Sequence, residues 1–531
     1  MPKLTIDGRE VETPPGTTIL DAARKLGIDI PTLCYFTGFK PSTSCLCCIV
    51  KVRGTGRLVP SCATLAQGGM EIESETDEVR DIRRTTLELL LSDHVGDCFA
   101  PCDFSCPAHM DIPLMLRQIN AEELAEAIQT VKRDIALPAV LGRICPKPCE
   151  KGCRRRGADG PVAICQLKRY AADVDLAGDD PYLPDCAPAS GRRVAVVGGG
   201  PTGLAAAYYL RRKGHQVALF DNRPELGGRL WDESTEEELP RDVLRAEIAQ
   251  IVRTGVEVHS NTALGEKLPL ESLRQQFHAV LIACGAVEKQ TAQGWGLEAT
   301  ARGIVVEKQS YQTAIPAVFA AGNAIRTKGM VVRSVADGKE AAESIDRFLA
   351  RKPVEGVARR FSSRMGKLTG EEMVEFIAGR DGVARREPLA ADGGFSLAES
   401  IEQSGRCLHC DCRALGSCRL KYYSDLYGAD PNRFQGERAR FEQDLRHSRV
   451  IYEPGKCINC GLCIDIATAA GEPLGLTFVG RGFDVRVGVP FDESLEKALG
   501  KVAAQVVEAC PTAALAFKSD KSAKELPILG Q

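Results

Sequence analysis

Residues 192–221 read RRVAVVGGGPTGLAAAYYLRRKGHQVALFD. VAVVG is a short, valine-rich apolar run, as expected of a strand buried on both faces. Gly198, Gly200 and Gly203 follow as GxGxxG, then an alanine-rich helical stretch, then a second apolar run that ends at Asp221. In this strand–turn–helix–strand setting each glycine has a physical reason. The first permits the tight turn, the second lets backbone approach a pyrophosphate, and the third lets helix and strand pack closely. The helix N-terminus then faces the phosphates. Asp221 stands 18 residues after Gly203, where a carboxylate can accept from a ribose hydroxyl. The stretch predicts a parallel α/β unit that holds a dinucleotide.

Downstream segments specify which dinucleotide. PELGGRLW (224–231), with Gly227, Gly228 and Arg229, resembles the second flavin-contacting element of disulfide-reductase-like flavoproteins. AVLIACGA (279–286), with Ala283 and Gly285, resembles the third, and IPAVFAAGNAI (315–325), with Gly322 and Asn323, resembles the last. That family usually has Asp where this chain has Asn323, which keeps an acceptor and loses a charge. The resemblance implies FAD. In the glutamate synthase small subunit and its relatives a second glycine fingerprint, for NADPH, interrupts the flavin domain. Here only AVEKQTAQGWGLEATAR (286–302) lies between Gly285 and Gly303. This departure moves the expectation from a nicotinamide dehydrogenase toward an electron relay.

The rest of the composition narrows the class. The 531 residues carry 68 Lys plus Arg and 71 Asp plus Glu, a net charge of −3, which gives no basic surplus for nucleic acid. Aromatics are 5%, too few for a base-stacking platform, and the 44% apolar fraction suits ordinary packed cores. No apolar run reaches the roughly 18 residues of a membrane span, and MPKLTIDGREVETPPG carries no export signature, so a cytoplasmic location is expected. The 22 cysteines are grouped, which in a reduced compartment points to metal. Only Cys186 and Cys284 stand alone, and the expectation for both is a small buried residue.

Near the N-terminus, short alternating strands flank an Asp-Gly turn, and Thr18 to Leu26 reads as a helix stopped by Gly27. Cys34, Cys45, Cys48 and Cys62 follow, with gaps of ten, two and thirteen residues. Four thiolates on loops of such a frame can enclose a two-iron cluster. Zinc is the competing metal, although it normally uses paired short knuckles. The spacing, with PTLCYFTGF (31–39), resembles the ferredoxin-like domain of the complex I large iron–sulfur subunit and of multimeric hydrogenases. Cys47 is the extra thiol and is expected not to ligate.

LLSDHVGDC (90–98) resembles the same subunit, where a histidine and three cysteines bind a four-iron cluster. CFAPCDFSCPAHMDIP (98–113) and LPAVLGRICPKPCEKGCRRRGADGPVAICQLKRYAAD (137–173) then resemble the N-terminal domain of the glutamate synthase small subunit and of dihydropyrimidine dehydrogenase. That resemblance implies two [4Fe-4S] clusters. One would take His94, Cys98, Cys102 and Cys153, and the other Cys106, Cys145 and Cys149. The fourth family ligand of the second falls on Lys168, a poor iron ligand. Cys165, three residues earlier and on the same helical face, is the expected substitute. The arginines 154–156 read as a solvated face or as compensation for cluster charge.

RCLHCDCRALGSCRL (406–420) places Cys407, Cys410, Cys412 and Cys418 together, for a [4Fe-4S] cluster or zinc, with His409 able to replace one thiol. EPGKCINCGLC (453–463) opens like a ferredoxin. In a two-cluster ferredoxin the fourth cysteine of each motif serves the other cluster. Ala467, Gly500, Ala503 and Val506 stand where one whole ligand set would be, while Cys457, Cys460, Cys463 and Cys510 complete the other.

The expected fold is multidomain, α+β and α/β. Residues 1–80 form a [2Fe-2S] ferredoxin-like β-grasp, 81–185 a helical domain with two [4Fe-4S] clusters, and 186–350 a Rossmann-like FAD domain. Residues 351–400 connect, 401–440 hold the four-cysteine segment, and 441–531 form a C-terminal [4Fe-4S] ferredoxin-like domain. The cofactors would be FAD, one [2Fe-2S] and three to four [4Fe-4S] clusters, with no catalytic side-chain constellation beside them. The expected function is an electron-transfer subunit of a soluble multisubunit oxidoreductase, whose partner is a molybdenum or tungsten enzyme, a hydrogenase or an NADH-oxidising flavoprotein. A self-contained NAD(P)H:acceptor oxidoreductase is the alternative, and a zinc-stapled scaffold with an inactive flavin fold is a third.

Overall fold

The computed structural model describes residues 1–518 apart from 266, 358, 359, 379–381, 390–392 and 435. The chain forms two compact units, and each is discontinuous. The first contains Met1–Phe99, Arg360–Gly379 and Cys410–Gln531, and the second contains Ala100–Arg359 and Arg380–His409. The six consecutive segments expected from sequence are thus regrouped. Residues up to 99 stay with the N-terminal sheet, and the four-cysteine segment divides between His409 and Cys410.

In the first unit, Lys3–Ile6 pairs antiparallel with Arg9–Glu12 and parallel with Glu71–Glu73. Ile49–Val52 joins Glu71–Glu73 and Arg57–Pro60 antiparallel, completing a five-stranded mixed sheet. Ile19–Lys25 is the expected helix, with Thr18 capping Asp21 N–H. Its Ile19, Leu20, Ala22 and Ala23 pack on Leu4, Ile6, Val50 and Ile72. The helix Asp77–Ser92 follows. Its fully buried Arg83 donates to Ile49 O (2.9 Å), to Tyr427 Oη (2.7 Å) and to Glu75 (2.6 Å), tying this helix to the sheet and to the C-terminal part of the chain.

Two further pieces complete that unit. Val450–Tyr452 pairs antiparallel with Leu515–Phe517, over the helices Leu462–Ala469 and Ala503–Ala509. Ala467, Ala503 and Val506 lie in this core, so positions that could have held a second cluster are filled by apolar packing. The helix Gly370–Ile377 begins with a capping box between Thr369 and Glu372. The Glu372 carboxylate also takes both Arg438 nitrogens (2.6 and 2.8 Å) and Phe441 N–H (2.7 Å).

In the second unit, helices Ile112–Asn120, Leu124–Asp134, Pro138–Ile144 and Ile164–Leu176 bury one continuous apolar core, and Leu397–Ser404 adds the buried polar side chains Ser400, Gln403 and Ser404. That core runs on into a five-stranded parallel sheet in the order Val318–Ala320, Ala279–Ile282, Arg193–Val197, Gln216–Phe220, Glu257–His259. Glu247, on Arg241–Arg253, accepts Ala139 and Val140 N–H (2.7 Å each) at the start of Pro138–Ile144 and so pins the helical part to the sheet part. Burial pushes the Glu247 carboxyl up to about 7. Residues 286–302 form only the helix Lys289–Gly294 and one edge of a two-strand hairpin. No helix among the described residues is long and apolar enough to cross a membrane.

The Arg438 hydrogen bond holds the Glu372 carboxyl well below the usual range, against the opposing effect of burial. Its contribution is therefore complete above the ordinary glutamate pKa of about 4.3 and is lost as pH falls toward the depressed native value. Glu372→Gln should lower the stability of the first unit by about 2 kcal/mol at pH 7. The difference from wild type should shrink below about pH 4, read as hydrogen exchange of helix 370–377 across pH.

Candidate functional site

The glycine turn forms as its spacing predicts. Gly198 has φ +108°, and a Cβ there would stand 2.4 Å from Ala283 O. A Cβ on Gly203 would stand 1.8 Å from Gly198 O, so only glycine lets the helix Pro201–Arg212 sit this close to the turn. Beside it opens a cleft of about 550 Å³. Gly198, Gly200, Asp221, Gly228, Arg229, Ala283, Gly285 and Asn323 all line it. Gly203, Gly227 and Gly322 stand behind the wall: Gly227 N–H donates to Gly199 O (2.8 Å), and a Cβ on Gly322 would strike the Thr202 side chain.

Asp221 has a second task that the sequence did not show. Its carboxylate accepts Gly199 N–H (2.5 Å) and Arg223 N–H (2.8 Å), so it holds the glycine turn in place. Each carboxylate oxygen retains acceptor capacity for a ribose hydroxyl. Arg229 pairs with Glu233 at the rim. Asn323 Oδ1 is buried and has no partner in the protein. An unpaired acceptor in the wall of a glycine-lined cleft fits a ligand carrying hydroxyl or N–H donors, as the ribityl and isoalloxazine portions of FAD do. The lone cysteines differ from expectation. Cys186 and Cys284 are both exposed, Cys186 in the stretch before the first parallel strand and Cys284 on the cleft wall where the β-strand Ala279–Ile282 has just ended.

The cysteines of the first unit gather into distinct sets. Cys34 and Cys45 hydrogen-bond each other, and the Cys48 and Cys62 sulfurs are 3.3 Å apart. The hydrogen bond between them lowers Cys48 to about 7, while the same bond and burial push Cys62 up. Two close pairs around one buried space suit a two-iron core with two thiolates per metal. Cys47 instead donates to Cys45 O (3.4 Å). Cys457, Cys460, Cys463 and Cys510 line one small pocket with Tyr452 and Leu515. Asn459 N–H and Leu515 N–H donate to the Cys457 and Cys510 sulfurs (3.4 Å each). Burial pushes Cys457 up to about 11 and Cys460 up to about 12. Cys34, Cys45, Cys418 and Cys460 all belong to one apolar cluster with Leu33, Leu87 and Leu462.

In the second unit, Cys145 and Cys149 both hydrogen-bond Cys165 and pull its thiol well below the ordinary value. Cys106 is a further neighbour, and Lys168 is buried against all four. Burial alone would depress the Lys168 ammonium, but the cysteines outweigh it and hold it above its ordinary value. Cys165 and Lys168 share one face of Ile164–Leu176, as the spacing predicts. Of the three consecutive arginines, Arg155 is buried and structural. It binds Asp159 through two nitrogens (2.7 and 2.8 Å) and Arg406 O (2.6 Å). His409 contacts Arg117 through Nδ1 (3.3 Å).

Buried thiols packed side by side are the donor set that iron–sulfur clusters require. Among the described residues no three His, Cys, Asp or Glu side chains close on a single point as the ligands of one metal ion would.

Comparison with known proteins agrees with this picture. Residues 2–77 match a 2Fe-2S iron-sulfur cluster binding domain. Residues 93–179 match dihydropyrimidine dehydrogenase domain II, 4Fe-4S cluster, and residues 164–340 match pyridine nucleotide-disulphide oxidoreductase. The chain is 36% identical over 241 residues to the NADP(+)-dependent formate dehydrogenase subunit beta of Moorella thermoacetica, covering 41% of this chain and 32% of that protein. It is 38% identical over 189 residues to the NADPH-Fe(3+) oxidoreductase subunit beta of Geobacter sulfurreducens, covering 35% and 28%. It is 36% identical over 189 residues to the NAD-dependent dihydropyrimidine dehydrogenase subunit PreT of Escherichia coli, covering 35% and 45%. The chain therefore matches less than half the length of each of these relatives.

The close approach at Gly203 makes a direct prediction. Gly203→Ala should weaken FAD binding at least about tenfold, or 1.4 kcal/mol, while leaving iron content unchanged. Flavin and iron per chain after gel filtration check it.

Proposed function

Taking the 2Fe-2S, 4Fe-4S and pyridine nucleotide-disulphide oxidoreductase domains as the premise, we propose that this chain is an FAD- and iron–sulfur-containing electron-transfer subunit of a multisubunit oxidoreductase. It holds one [2Fe-2S] and three to four [4Fe-4S] clusters and relays electrons between a redox site on a partner subunit and a second donor or acceptor. The partner is a molybdenum or tungsten enzyme, a hydrogenase or an NADH-oxidising flavoprotein, and the assembly works in the cytoplasm. Each cluster passes one electron, and a flavin exchanges one or two, so the flavin is where paired and single transfers meet. The protein sets spacing, burial and charge, which determine the potentials.

The observation that carries this reading is the sharing of one apolar cluster by thiols of separate cysteine groups, Cys34, Cys45, Cys418 and Cys460. Such adjacency has a use in a relay and none in a zinc-stapled scaffold. The short segment 286–302, a single helix and a hairpin edge, supports placing nicotinamide chemistry on a partner. The N-terminal cluster takes Cys34, Cys45, Cys48 and Cys62, and the C-terminal one takes Cys457, Cys460, Cys463 and Cys510. In the helical region Cys106, Cys145, Cys149 and Cys165 form a set, with Cys165 in place of the family's fourth ligand.

Anaerobically purified protein should be brown, with about 14 to 18 irons and one FAD per chain. Dithionite should reduce it fully, whereas NADH or NADPH alone should not bleach the flavin rapidly. Rapid bleaching by either nucleotide would favour the self-contained oxidoreductase instead. Lys168→Met removes a cation facing Cys106, Cys145, Cys149 and Cys165. It should make one cluster harder to reduce by about 60 mV, a tenfold change for one electron, as seen in an EPR-monitored redox titration.

A further inference from the structure

The contiguous assignment puts His94 and Cys98 with Cys102 and Cys153, and keeps Cys407, Cys410, Cys412 and Cys418 as a set of their own. The compact units cut across both groups: His94 and Cys98 belong to the first unit, Cys102 and Cys153 to the second, and the last group divides after His409. Within the first unit, Cys412 N–H donates to Cys98 O (3.1 Å). Ser363, from the segment that rejoins this unit, lies 3.3 Å from the Cys98 sulfur and donates to Gly96 O (2.9 Å). Cys418 is buried within electrostatic reach of both Cys412 and Cys98.

His94 faces the same place. Val95 N–H donates to Gly455 O (2.7 Å), which brings the His94 loop against Lys456. A Cβ on Gly96 would touch Lys456 Cε at 2.6 Å and His94 Nε2 at 3.2 Å. Lys456 acts electrostatically on both His94 and Cys412, and it is itself neutralised by Glu453 at 2.6 Å. His94 Nδ1 is buried with no protein partner. An orphaned imidazole nitrogen four residues before Cys98, within electrostatic reach of the same Lys456 as Cys412, is an unused ligand atom rather than a packing atom.

In the second unit, Cys407 belongs to the core against which Cys102 and Cys153 pack. Arg406, the residue before Cys407, lies close enough to Cys153 to feel its charge, and Arg155 binds the Arg406 carbonyl. All three thiols belong to the second unit, whereas Cys98 and Cys412 belong to the first.

We propose that His94, Cys98, Cys412 and Cys418 form one [4Fe-4S] ligand set, assembled across the insertion of the second unit, and that Cys102, Cys153 and Cys407 belong to a different cluster. This deepens the relay reading and rests on it. It places a histidine-ligated cluster in the first unit, next to the thiols of the N-terminal and C-terminal sets. Imidazole in place of thiolate raises a cluster's potential, so this centre is an electron-accepting step between its neighbours.

The test is an interaction between substitutions in the full-length protein, purified anaerobically. Cys98→Ala and Cys412→Ala should each lose about four irons and the same EPR signal, and the double variant should lose no more than either single one. Loss of about eight irons in the double, with two signals gone, would overturn the proposal. Cys412→His keeps a ligand in place and covers the case in which the alanine variants do not accumulate. Wild type should show one nitrogen-coupled cluster signal in pulsed EPR, and Cys412→His should add a second nitrogen coupling to that same signal. Nitrogen coupling on a different signal would also overturn it. Wild-type protein without iron would defeat the relay reading itself, whereas a full iron complement with additive losses would defeat only the present ligand set.

Discussion

Buried thiols placed side by side repel one another as soon as they ionise. Desolvation and mutual charge push most of the grouped cysteines up, among them Cys412, Cys418, Cys457 and Cys460. A pocket of this kind is a poor place for a thiolate unless a cationic core sits among the sulfurs. The remainder of the architecture serves that arrangement. Helix starts, glycine turns and ion pairs hold backbone in place so that the thiols stay grouped and buried.

The ion pairs show how the chain manages this over long sequence distances. Arg83 joins strand 49–52, Glu75 and Tyr427, and Glu372 joins the rejoining segment to Arg438 and Phe441. Both are charged groups with several hydrogen bonds each, and removing one partner would leave the other buried and unpaired. Such contacts specify where a returning chain must dock more sharply than apolar packing does. In the second unit Glu247 and the Arg155–Asp159 pair do the same, the first between helices and sheet and the second around Arg406.

Lys168 is a buried ammonium group placed beside a thiol set, whereas the buried Lys456 is offset by Glu453 at 2.6 Å. A fixed positive charge next to an electron-accepting centre stabilises its reduced form. The sulfurs of Cys457 and Cys510 receive backbone N–H bonds that act in the same direction. Thiols of separate groups, such as Cys34, Cys418 and Cys460, meanwhile share one set of apolar contacts.

Much of this was legible in the residues alone. The glycine fingerprint and flanking apolar runs predict the parallel sheet because their period and turn chemistry are local. The Cys34–Cys62 and Cys457–Cys510 sets follow from spacing, since each lies on one compact frame, and Cys165 beside Lys168 follows from helical geometry. Other features were not legible. Arg155 read as part of a solvated face or as compensation for cluster charge and is buried, because its partner Arg406 O comes from chain 251 residues away that spacing cannot place. Cys186 and Cys284 read as buried and are exposed. The larger matter is which thiols keep company: sequence proximity favours Cys98 with Cys102, whereas the two belong to different compact units and Cys412 N–H bonds Cys98 O within the first. Residue type and local spacing determine that a cluster can form, but only tertiary structure decides its membership. Ligation depends on distance through space, and an insertion changes distance along the chain without changing it.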